Sequence, residues 1–120
     1  MRIRLLAAAI AALALAGPTA AHHGWMGYED AEFSLTGVVE SANLGGPHGL
    51  LRVRAGRAVW DVVLAPPTRI QRAGLALGAV PRGTRVTARG HRHRDHRRME
   101  MKTERLVVGA RTFDLYPERS

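Results

Sequence analysis

The sequence contains no cysteine. That excludes a disulfide framework and any cysteine-built zinc or iron–sulfur centre, so whatever core exists rests on apolar burial alone. Acidic residues are scarce: 10 Asp and Glu stand against 18 Lys and Arg, a net charge of +8, and Lys102 is the single lysine. Aromatics are few, with two each of Trp, Tyr and Phe. Single-stranded nucleic acid is held by stacking rings set beside positive charge. Several of the six rings fall at core positions, so a nucleic-acid partner is not expected. No apolar run is long enough to cross ~30 Å of hydrocarbon at ~1.5 Å per residue, because the longest, Leu5 to Ala16, has 12 residues. Glycine-rich phosphate loops, Ser-His-Asp spacings and paired carboxylates are missing as well. The chain therefore reads as a binding or carrier protein and not as an enzyme.

The 12-residue apolar run has a different meaning. Arg2 and Arg4 precede it, Gly17-Pro18 breaks it, and Thr19-Ala20-Ala21 offers small residues for cleavage. This is the layout of a secretory signal peptide over residues 1–21. It predicts a periplasmic or secreted product with no transmembrane segment after cleavage. There is no Arg-Arg pair near the start and no cysteine at the cut, so neither twin-arginine export nor a lipoprotein is indicated. Cleavage after Ala21 leaves 99 residues carrying 16 basic and 10 acidic side chains. That length can bury a modest core without disulfides.

An arm, residues 22–32, precedes the first strand, and Trp25 and Tyr28 are expected to pin it to the domain. Alternation predicts strands over 33–43, 50–55, 58–65, 84–91, 99–108 and 111–115. Gly37 inside the first strand predicts a bend or a close backbone approach. Pro66-Pro67 ends the third strand and can open a short helix over 68–75, with Ile70, Ala73 and Leu77 facing inward. Strand, strand, strand, helix, strand, strand is the order of a small OB-like five-stranded antiparallel barrel. The expected domain is 33–116, with a tail at 117–120.

Three segments carry a resemblance. They are Ala21-His22-His23-Gly24-Trp25, Gly46-Pro47-His48-Gly49, and Trp60-Asp61-Val62-Val63-Leu64-Ala65-Pro66-Pro67. Together they resemble an uncharacterised family of small exported bacterial proteins with an Ala-His-His-Gly-Trp mature start, a Pro-His-Gly loop and a Trp-x-Val-x-Leu-Ala-Pro-Pro segment. The resemblance implies an exported single-domain β-protein and implies no activity. His91, His93 and His96 stand outside its pattern.

The mature start carries the sharpest chemistry. Cut after Ala21, His22 presents a free α-amine and its own imidazole to one metal ion. A third nitrogen from His23 or His48 completes a set of the kind Cu(II) favours. Cut after Ala20, His23 becomes the third residue, and the amine, two amides and its imidazole form a square-planar site for Cu(II) or Ni(II). The expected ligands are thus His22, His23 and His48, and the expected cofactor is copper. Met26 is a possible soft ligand beside them, while Met99 and Met101, two apart, read as core filling.

A second cluster is the basic segment His91 to Arg98. In an OB-like barrel it joins the last two barrel strands beside the usual ligand face. Arg92, Arg94, Arg97 and Arg98 could pair with anionic envelope components, or the segment is a solvated loop. A purely structural subunit is the remaining reading.

Overall fold

The barrel begins with one long strand that serves two neighbours. In the computed structural model, which describes residues 24–119, β1 (Phe33–Asn43) is followed by β2 (Leu50–Ala55), β3 (Ala58–Val63), α1 (Pro67–Arg72), β4 (Arg85–Arg92), β5 (Glu100–Val108) and β6 (Arg111–Asp114). The expected signal peptide, its cleavage bonds, His22 and His23 lie outside the described residues. The first half of β1 pairs antiparallel with β4, Phe33 opposite Gly90, and the second half pairs antiparallel with β2, Asn43 opposite Leu50. To change partners the strand must bend, and Gly37 sits at that bend. A Cβ there would collide with the backbone carbonyl of Arg54 and lie 2.8 Å from Val53 Cγ1. The close approach expected of this glycine is thus its physical role. A bulge between Val39 and Ser41 adds to the twist.

β3 pairs with β5 through Asp61–Glu100, Val62–Met101 and Val63–Lys102. This closes the ring β1–β2–β3–β5–β4, the five-stranded OB barrel expected from the element order. The closing ladder is parallel, so the barrel is mixed where alternation alone suggested antiparallel pairs throughout. β6 continues the sheet beyond β5. Alternation sends Leu35, Val39, Leu51, Val53, Trp60, Val62, Val86, Ala88, Met101 and Leu106 into the core.

α1 plugs one end of the barrel with Ile70, which is 2% exposed. The helix starts one residue earlier than the apolar pattern suggested and stops at Arg72. Gly74, at φ +84°, then reverses the chain. Leu75 is thereby buried and Leu77, expected to face inward, is 76% exposed. The helical period was carried past the turn that ends it. Among the described residues no helix is long and apolar enough to cross a membrane.

From Gly24 onward the arm lies along the end of β4. Tyr28 bridges His93, the Glu29 amide donates to the Arg92 carbonyl at 2.8 Å, and the Arg94 amide donates to the Gly27 carbonyl at 2.9 Å. It acts as a short extra strand that ties down the β4–β5 loop.

Candidate functional site

Trp25 is the hinge pin of the site. Its indole meets Tyr116 edge-on with centroids 5.0 Å apart, His91 at 5.7 Å and Tyr28 at 6.5 Å. The arm and the tail therefore meet over the outer face of β5. Strand alternation would leave Lys102 and Glu104 on that face in water, yet they are 5% and 3% exposed. Beneath the indole, His91 bonds to the Glu104 carboxylate through Nε2 and approaches the Ala31 carbonyl through Nδ1 at 3.1 Å. Arg119 approaches the same carboxylate at 3.7 Å while its guanidinium lies 3.9 Å from the Trp25 ring centroid.

Beside Trp25 opens a cavity of about 600 Å³. The arm contributes Gly24, Trp25 and Tyr28, the β1–β2 loop His48, β3 Val63, the helix start Pro66 and Arg69, β5 Lys102, and the tail Tyr116, Glu118 and Arg119. Lys102 Nζ donates to the Gly24 carbonyl at 2.7 Å and lies 4.6 Å from the Trp25 ring centroid. Burial, with Arg119 nearby, pulls its ammonium below the ordinary lysine range. Arg69 sits 4.5 Å over the Tyr116 ring and bonds Glu118 at 2.7 Å. That hydrogen bond holds the Glu118 carboxyl below its usual range. Burial raises the Tyr116 hydroxyl, and burial with a 2.5 Å bond to Glu100 raises that of Tyr28.

His48, expected as a ligand, is exposed on its loop and makes no hydrogen bond among the described residues. Partial burial, and then the charge of Lys102, lower its pKa. Gly24 and His48 border the same cavity. The other histidines disperse. His93 accepts from the Asp95 amide at 3.0 Å, and His96 pairs with Glu29 at 3.0 Å. Met101 is core, whereas Met99, expected to fill the core beside it, is 37% exposed. Among the described residues no group of three or more His, Cys, Asp or Glu side chains is placed to hold a metal ion.

The basic loop is largely occupied with its own chain. Arg97 pairs with Asp95 at 3.0 Å and Arg98 with Glu100 at 2.7 Å. Arg94 donates to the Met26 carbonyl at 3.1 Å, and Arg92 stacks 4.9 Å over Trp60 and donates to the His96 carbonyl at 3.2 Å.

The closed barrel with a helix before its fourth strand defines an OB-fold protein, and solved structures agree. One chain of the S. pombe Stn1-Ten1 complex superposes with a TM-score of 0.51 at 15% identity, covering 67% of this chain and 59% of its own. Asparaginyl-tRNA synthetase from Pyrococcus horikoshii, solved with asparaginyl-adenylate, gives a TM-score of 0.50 at 20% identity, covering 74% of this chain and 22% of its own. The chain thus spans less than two thirds of either. At these identities the likeness is one of fold. Residues 9–102 match a family of unknown function, DUF6152, and the chain belongs to that family. No curated protein sequence matches it.

Proposed function

We propose that this is a small exported binding protein, freed in the periplasm or outside the cell by removal of residues 1–21, that holds Cu(II) or a related divalent ion at its new amino terminus. The amine and imidazole of His22 are the first two ligands, with His23 and His48 supplying further nitrogens. It carries or buffers the ion and is not a catalyst. The observation that supports this is the shared cavity wall of Gly24 and His48, because Gly24 follows His22 and His23 directly in the chain. The donor set suits the ion: nitrogen ligands in tetragonal geometry favour Cu(II). The lowered pKa of His48 keeps it in the neutral, ligating form.

The test is a Cu(II) titration of protein cut by its own signal, beside protein bearing one extra leading residue. Tight one-to-one binding by the first, much weakened in the second and in His48→Ala, is the expected result. Equal, weak binding by both removes the metal reading. An anionic ligand on Arg92, Arg94, Arg97 and Arg98 is less well supported, because carboxylates and carbonyls of the chain already engage them. Its mark would be affinity that collapses with salt and ignores the amino terminus.

A further inference from the structure

Lys102 is held in a costly position. Its side chain is buried on β5, and of the three protons on the ammonium one is taken by the Gly24 carbonyl. No carboxylate lies within ion-pair distance of it among the described residues. Aromatic faces supply the rest of its surroundings, Trp25 at 4.6 Å and Tyr116 at 5.9 Å. A buried ammonium without a counter-charge is destabilising, and cation–π contacts offset only about 0.5–2 kcal/mol of that.

The surrounding charge repeats the pattern. Three basic side chains, Arg69, Lys102 and Arg119, line the cavity against one carboxylate, Glu118. That carboxylate is engaged by Arg69 through both oxygens, at 2.7 and 3.1 Å. Glu104, the carboxylate nearest Arg119, is bonded to His91. Arg119 and Lys102 therefore both border the cavity, each over the Trp25 ring, with donors to spare. Val63 and Pro66 give the same cavity an apolar wall. A recess with unbalanced ammonium and guanidinium donors, its lysine buried, is suited to charge-assisted bonds to an oxyanion.

We propose that this cavity binds a small organic oxyanion, a phosphate or carboxylate head held between Lys102 and Arg119 with a short apolar portion against Val63 and Pro66. None of these four residues belongs to the proposed metal set, and the site stands without the metal reading. The head group could arrive on a free molecule or on a lipid, and the two differ in what the recess must admit.

The test uses metal-stripped full-length mature protein, so that no bridging ion takes part. Phenyl phosphate and inorganic phosphate are titrated at low salt, with sodium chloride matching the ionic strength. The Trp25 indole and Gly24 amide resonances are followed. Saturable shifts confined to the cavity are expected, tighter for phenyl phosphate than for phosphate. Affinity should drop roughly tenfold or more in Lys102→Met and in Arg119→Gln, as when one partner of a charge-assisted contact is removed, and stay unchanged in Arg97→Gln. If Lys102→Met does not fold, Arg119→Gln carries the comparison. A parallel arm sediments the protein with phosphatidylglycerol vesicles. Vesicle binding that needs Lys102 and Arg119, with no saturation by phenyl phosphate, assigns the head group to a lipid. Shifts that merely follow ionic strength, or equal losses in Arg97→Gln, together with vesicle binding indifferent to Lys102, overturn the site.

Discussion

At the scale of single residues, two positions carry opposite strains. Gly37 is a steric limit, since a methyl group there would push against the Arg54 carbonyl and Val53 at the bend of β1. Gly37→Ala should cost about 1–3 kcal/mol, the usual penalty of overpacking, read as a lower urea midpoint at unchanged slope. Lys102 is an electrostatic cost. Its pKa is lowered in the fold, so the unfolded chain holds the proton more tightly over the interval between the folded and the ordinary lysine values. Stability from this group therefore rises as pH climbs through that interval, and the penalty is fully present below it. The raised hydroxyls of Tyr28 and Tyr116 act in the other direction, losing stability once pH passes the ordinary tyrosine value. Comparison with Lys102→Met separates them: the variant should be at least as stable as the wild type near neutral pH, and the wild type should close the gap in alkali. A variant much less stable at neutral pH would show that Lys102 is chiefly a structural tie to Gly24.

At the scale of elements, the arm behaves as a removable clasp. Trp25→Ala takes away ring contacts with Tyr116, His91 and Tyr28 together. It should cost about 2–3 kcal/mol, less than a fully buried tryptophan. Amide exchange should quicken at Arg94, which donates to Gly27, while the β2–β3 ladder keeps its protection. Uniform acceleration would instead show that the clasp and barrel open as one unit. The strands were legible in the sequence because one face of each is buried: β1 and β2 fall at the residues their alternation marks. The helix was legible at its proline start and misread at its end, where Gly74 overrides the apolar period and leaves Leu77 in water. The cavity was not legible. Its members, Trp25, Arg69, Lys102, Tyr116 and Arg119, are far apart in the chain and share no spacing; only the barrel closure and the tail bring them together. The one available signal was a solitary lysine amid seventeen arginines.

At the scale of the whole molecule, the two proposed sites border one cavity, the metal through His48 and the anion through Lys102 and Arg119. Metal binding needs neutral imidazoles, so Cu(II) affinity should fall as pH drops through the histidine range. His48 is held below its ordinary value. The wild-type to His48→Ala affinity ratio should therefore persist to lower pH than an ordinary histidine would allow; parallel titrations across the histidine range check it. The contact of Trp25 with Tyr116 and Arg119 has a geometric consequence of its own. The two ends of the described stretch lie against each other, and such adjacency is what permits domain insertion. The barrel could be spliced into a surface loop of a host protein with short flexible joints at both seams. Occupancy of its cavity would then clamp those seams together, turning ligand concentration into tension on the host.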